Sequence, residues 1–280
     1  MNRRDSLRLL AALPFLDLES LASSFLERRS ARILINPGHN KDSNNSKKLR
    51  FLPDVGYEYD INTQIAQKLQ QELKHASPSG LEVILSRNKT DYIDQFQLYF
   101  SQHKSDFEDE VRNYRISHKG HTDISLQEAA LQLALIRWAE TNADLVVNVH
   151  INFYSEKDKL RRASGFSVVF SDISQYPKEN EGIALRIHKS LEGSFAPSNS
   201  KWERLTINDG TSSRTVPGLM MKHLVMIGSE LHTVQIPSVI VECGYLGQKY
   251  EGRKTIADEW VQRRYAGQIA KGVLDYLSHH

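Results

Sequence analysis

The sequence predicts one α/β domain in which strands and helices alternate. Three observations carry this reading. Unbroken apolar runs, Ile33-Leu-Ile, Leu145-Val-Val and Val239-Ile-Val, suit buried strands. Helical periodicities alternate with these runs along the chain. No internal repeat or linker divides the sequence, and 280 residues suffice for a full core.

Composition narrows the function classes. Forty per cent hydrophobic and 25% charged residues are ordinary globular values, which excludes wholesale disorder. A formal net charge of +2 with both signs dispersed gives no electrostatic footprint for nucleic acid. The single cysteine, Cys243, excludes an intrachain disulfide and a multi-cysteine metal site. No window reaches the roughly 18 apolar residues of an integral membrane span. Residues 1–30 stand apart as a leader. Arg3-Arg4, the apolar run Leu9–Leu16 and small residues at Ala22–Ser24 follow the order of an export signal, with a likeness to the twin-arginine type. Ser6 stands where that motif has an aromatic, and Asp17 and Glu19 cut the apolar run short. An amphipathic helix is the competing reading.

The first strand, Ile33-Leu-Ile, runs into Asn36-Pro-Gly-His39, where Pro and Gly stop it and deliver a histidine at its carboxyl end. Lys41–Asp54 is polar and reads as a surface loop. Ile61, Ile65, Leu69 and Leu73 mark a helix with Asp60 as its cap, so Glu58 falls just before the helix start. Pro78-Ser-Gly80 breaks the chain before a second strand, Leu81–Arg87. From 88 to about 124 the pattern dissolves into an inserted excursion. It holds Tyr92, Phe96, Tyr99, Phe100 and Phe107, local helix at most, and two surface histidines, His118 and His121.

A capping box, Ser125 with Glu128 three residues on, starts a helix running to about Glu140. The strand Ala143–Asn152 follows and ends on His150. Ser164–Ser171 is a further strand, and Gly182–Leu191 a helix. Phe195–Val216 reads as irregular, and Leu219–Ile227 as ambiguous between helix and strand. The last strand, Ile236–Tyr245, brings Glu242 to its end, with Cys243 as a small buried filler. A helix from Thr255 to Leu277 closes the domain, with Ile256, Trp260, Tyr265, Ile269 and Val273 on its apolar side.

His39, His150 and Glu242 thus end strands, and Glu58 sits on a loop opening a helix. Parallel strands place such ends along one edge of the sheet, where these four side chains can converge. Two histidines and one carboxylate make a tetrahedral zinc site with one position open to water. A second carboxylate then serves as general base and acid. Spacing does not say which glutamate binds metal, nor that the strands run parallel.

Four ordered blocks resemble the zinc-dependent N-acetylmuramoyl-L-alanine amidases of peptidoglycan, the Amidase_3 family. They are Asn36-Pro-Gly-His-Asn40, Glu58-Tyr-Asp60, Asn148-Val-His-Ile-Asn152 and Pro237-Ser-Val-Ile-Val-Glu-Cys-Gly-Tyr245, and the likeness spans about Arg32 to Leu277. The resemblance implies His39, Glu58 and His150 as zinc ligands and Glu242 as the catalytic acid and base. It also implies a mixed, mostly parallel sheet flanked by helices, related to the zinc carboxypeptidase architecture, together with hydrolysis of the muramoyl–L-alanine amide and a location in the periplasm or cell envelope. Peptidoglycan is then the partner, with room for an activator protein. Four departures stand out: Asn36 for an aspartate that orients a neighbouring ligand, Asn40 and Ile151 for smaller residues, which narrow the cleft, and the excursion, longer than the family has there and expected, from its aromatics and its place in the order, to form a lid or wall over the cleft. Two rivals stay open. One is a zinc carboxypeptidase or N-acyl amino-acid hydrolase using Arg87, Arg137 or Arg214 for a substrate carboxylate. The other is a catalytically silent, envelope-binding homologue.

Overall fold

The computed structural model describes residues 30–39, 51–52, 56–77, 80–89, 91–118, 124–153, 164–208, 213–246 and 256–279. The expected leader up to residue 29, Asn40 and His121 lie outside these residues, as does most of the loop expected at 41–54.

Six strands form the central sheet. They are β1 (Ala31–Pro37), β4 (Leu81–Leu85), β5 (Leu145–Phe153), β6 (Ser167–Phe170), β9 (Leu219–Met221) and β10 (Ser238–Leu246), in the spatial order β4-β1-β5-β10-β6-β9. All neighbours pair parallel except β10 with β6, so the sheet is mixed and mostly parallel, as the family resemblance implies. Two short ribbons lie outside it: β2 (Phe51–Leu52) with β3 (Gly56–Tyr57), and β7 (Arg204–Asn208) with β8 (Ser213–Pro217).

Strand alternation sorts the side chains onto two covered faces. Ile33, Ile35, Val147, Val149, Val239 and Val241 pack on one face. Ile61, Ile65 and Leu69 of helix α1 (Glu58–Ala76) cover that face, together with Ile183 and Ile187 of α4 (Pro177–Glu192) and Ile269 and Val273 of α5 (Glu259–Ser278). On the other face Leu34 and Val146 meet Ala130, Leu133 and Ala134 of α3 (Leu126–Asn142), and Phe96, Phe107 and Val111 of α2 (Asp94–His118). The result is three layers with a core on each side of the sheet.

Several elements correct the sequence reading. The excursion is mostly the single 25-residue helix α2. Only Phe96, Phe107 and Val111 of it are buried, a stripe too narrow to show above its charged residues. The segment expected to be irregular contains the β7–β8 hairpin, whose second strand is largely exposed and so carries no apolar alternation. Leu219–Met221 resolves as strand. Helix α1 begins at Glu58 itself with Tyr57 as N-cap, so Asp60 lies inside the first turn, where both acids complement the helix dipole. Trp260 is 58% exposed instead of buried, lying against the Arg264 guanidinium 5.1 Å from its ring centroid. Ser125 caps α3 as expected, its hydroxyl accepting from the Glu128 amide at 3.1 Å.

Cys243 is fully buried, and burial together with the adjacent Glu242 raises its thiol pKa well above the usual range. We expect no alkylation of the native protein at mildly alkaline pH and one labelled thiol after denaturation. Rapid native labelling would show that β10 is not packed as described.

Candidate active site

Parallel pairing sets the carboxyl ends of β1, β5 and β10 side by side. Asn36 pairs with Asn148, and Glu242 with His150. His150 and Glu242 share the face that looks toward α3, because both lie an even number of residues from Val146 and Ile240 on their strands. Glu58 comes from the first turn of α1 and is 1% exposed. His39, Glu58 and His150 each offer a ligand atom, and these atoms lie within 4.8 Å of one another. His39 Nε2 lies 3.5 Å from Glu58 Oε1, and the two imidazoles meet edge to face with centroids 5.1 Å apart. Two imidazole nitrogens and a buried carboxylate fit a divalent transition ion, zinc foremost. Glu242 is outside that trio yet lines the same cavity, of about 460 Å³, together with His39 and His150.

The turn holding His39 is strained and clamped. With φ at 54°, His39 is the only non-glycine among the described residues in the left-handed region. Its neighbour Gly38 admits no side chain, since a Cβ there would lie 2.3 Å from the His150 ring. Fully buried Arg87 secures the carbonyls of this turn. It donates to Pro37 O at 3.4 Å, to Gly38 O at 3.1 Å and to His39 O. It also donates to Tyr59 O at 3.3 Å and Thr63 Oγ1 at 2.8 Å, tying the turn to the start of α1. Asn62 Nδ2 adds a second bond to Gly38 O at 3.0 Å. Burial lowers the Arg87 pKa, and Tyr92, Asp60 and Tyr59 act against it.

Asn36 does not touch a proposed ligand. It donates to Asn148 Oδ1 at 2.8 Å and accepts from Ser86 Oγ at 2.8 Å. Asn148 donates onward to Val239 O at 3.0 Å and Ser238 Oγ at 3.4 Å. The departure from aspartate is thus part of a buried ladder crossing four strands. Ile151 does not narrow the cleft, because it alternates to the opposite face and packs in the core there. Beyond the bulge between Glu242 and Tyr245, a buried cluster supports the end of β10. Asn152 donates to Glu203 Oε1 at 2.8 Å, and Tyr245 bonds Glu203 and Ser198. Burial, then the bond to Glu203, pushes the Tyr245 phenol far above its ordinary value.

Four features escaped sequence reasoning. Glu128 reads as a capping-box acid, yet its carboxylate lies 3.4 Å from His39 Nδ1. Arg87 reads as a strand end, and its sequence neighbours give no sign that it clamps the His39 turn. Val111 and Tyr114 of α2 form the wall expected of the excursion, whereas the segment around Leu224–Leu231, which nothing in the sequence marks, faces them across the cavity. Tyr114 Oη reaches Glu230 Oε2 at 3.3 Å between the two. Neither His118, exposed and stacked on Tyr114, nor any arginine or lysine among the described residues lines the cavity.

A family model described as N-acetylmuramoyl-L-alanine amidase, Amidase_3, matches residues 33–275. An N-acetylmuramoyl-L-alanine amidase from Clostridium difficile 630 is 20% identical, with a TM-score of 0.55 over 89% of this chain and 98% of that one. The CwlD amidase of Clostridioides difficile, solved in complex with the GerS lipoprotein, is 20% identical with a TM-score of 0.53, covering 90% of this chain and 100% of that one. Ami1 of Mycobacterium smegmatis is 16% identical with a TM-score of 0.56, covering 90% and 99%. A comparison with curated proteins finds no match. At these identities the solved structures speak for the α/β fold. The family match extends over nearly all of the described sheet and helices, and the chain belongs to the Amidase_3 family of N-acetylmuramoyl-L-alanine amidases.

Proposed function

We propose that this amidase hydrolyses the bond between the lactyl group of N-acetylmuramic acid and the L-alanine of the stem peptide, with zinc held by His39, Glu58 and His150. One observation carries the reading: three ligand-type side chains converge within 4.8 Å while a fourth, Glu242, stands register-paired beside His150 in the same cavity. A bound zinc ion would supply Lewis acidity and make water a usable nucleophile near neutral pH. Glu242 takes the proton of the attacking water and returns it to the departing amine of L-alanine. Buried Glu58 offsets positive charge at the centre, and Gly38 lets the His150 ring sit against the turn.

The cavity lining favours an amidase over a carboxypeptidase. A substrate carboxylate needs a cation, and the three candidate arginines are elsewhere. Arg87 is buried among carbonyls, Arg137 pairs with Glu110, and Arg214 is exposed on β8. The muramoyl–alanine amide is internal to its substrate and makes no such demand. The lining around the polar groups is apolar, with Val111, Ile124, Leu135, Leu224 and Ile240. A peptidoglycan substrate places the protein in the cell envelope, in keeping with the export reading of residues 1–30. The complex of the CwlD relative with a lipoprotein supports a protein activator as a further partner.

Metal analysis paired with digestion tests the proposal. We expect about one zinc per chain. Sacculi and soluble muramoyl-peptides should release stem peptides and leave unbranched glycan. Zinc-loaded protein inert on both substrates would overturn the assignment, and release of single carboxyl-terminal residues would favour the carboxypeptidase reading.

A further inference from the structure

The imidazole of His39 is gripped from both edges. Nε2 lies 3.5 Å from Glu58 Oε1, and Nδ1 lies 3.4 Å from Glu128 Oε1. We propose that Glu128 is a positioning residue for His39, accepting the Nδ1 proton so that the Nε2 lone pair faces Glu58 and His150. The inference rests on the zinc centre proposed above and assigns it a residue outside the four motif side chains.

A neutral imidazole that ligates through one nitrogen carries its proton on the other, and a buried N–H needs an acceptor. His39 is only 13% exposed, so solvent is a poor acceptor there. A carboxylate in that role fixes ring orientation and raises the basicity of the ligating nitrogen. Glu128 is 9% exposed and its backbone is pinned by the Ser125 cap, with Ala129 and Ala130 buried beside it. Its carboxylate therefore approaches from a rigid first turn of α3. Glu128 stands outside the trio with ligand atoms within 4.8 Å, since it addresses the far edge of the ring. The division of labour is plain. Arg87 and Asn62 hold the backbone of the His39 turn, and Glu128 holds its ring.

The test uses the full chain stripped of metal, as wild type, Glu128→Ala and Glu128→Gln. Zinc affinity is read by chelator competition, and the His39 tautomer by nitrogen-15 NMR of the metal-free protein. We expect Glu128→Ala to weaken zinc binding about 10- to 100-fold and to mix the His39 tautomers. Glu128→Gln, whose amide oxygen still accepts, should lose less and keep the Nδ1-protonated form. The denaturation midpoint of the metal-free variants should stay near wild type, because the Ser125 cap bonds the residue 128 backbone. Unchanged affinity and tautomer in Glu128→Ala would overturn the proposal. So would a variant that keeps its zinc and turns over faster, because the carboxylate would then have been occupying the reaction site. Wild type that binds zinc but cleaves no peptidoglycan sinks the proposed function alone. If wild type binds no zinc, the metal centre fails and the tautomer measurement alone decides the role of Glu128.

Discussion

Glu242→Gln should retain its zinc and its fold while losing about 10²- to 10⁴-fold in kcat, the range contributed by a positioned general acid–base group. The amide is nearly isosteric with the carboxylate, so the pairing of residue 242 with His150 should persist. What disappears is the ability to take a proton from water and return it to an amine. Metal retention is expected because the ligand-type trio is complete without Glu242. Steady-state turnover on muramoyl-peptides and metal content are the two measurements, and they must be made on the same preparation. Loss of zinc in Glu242→Gln, with retention in Glu58→Gln, would exchange the roles of the two acids.

Arg87→Met should cost about 3–5 kcal/mol of unfolding free energy, the scale for removing a buried, hydrogen-bonded charge. That is a large share of the 5–15 kcal/mol typical of a domain. Methionine fills much of the volume, so the loss reports hydrogen bonding more than cavity formation. The carbonyls of Pro37, Gly38 and His39 lose their shared donor, and the strained His39 backbone loses its clamp. Arg87→Lys should recover only part of the loss, because one ammonium cannot match a planar fork spread over the carbonyls of two segments. Chemical denaturation of the metal-free protein measures this directly. A loss under about 1 kcal/mol, the scale of a single net hydrogen bond, would show that the turn stands without the arginine.

Much of this architecture was legible because its strands are covered on both faces. Ile33, Val147 and Val239 announce themselves as continuous apolar sequence, and each run ends where a chemically equipped residue appears. The site residues His39, His150 and Glu242 were readable as exceptions to those runs. Helix α2 was not, because a long helix lying on α3 buries only three of its residues and shows solvent a highly charged surface. The β7–β8 hairpin failed for a related reason, with Ser213, Arg214 and Thr215 all exposed. Glu128 was hidden differently. Its position three residues after Ser125 already satisfies a local capping pattern, and one sequence signal conceals another when a residue's backbone serves the helix and its side chain serves a distant ring. Glu58 shows the limit of boundaries, since moving the cap from Asp60 to Tyr57 carries it from a loop into the first turn of a helix.

The buried ladder of Ser86, Asn36, Asn148 and Ser238 bears on strand slippage. Valine and isoleucine pack almost equally well against a neighbour displaced by two residues, so an all-apolar sheet tolerates sliding. Amides bonded to one another inside the sheet do not, because a displaced strand would leave several polar groups buried without partners. Asn36 opposite Asn148 therefore acts as an alignment key. With that key engaged, β1, β5 and β10 keep their register, and His150 and Glu242 arrive at the same height on the same face. Misregistered folding intermediates are penalised at the ladder before any catalytic side chain has met its neighbours.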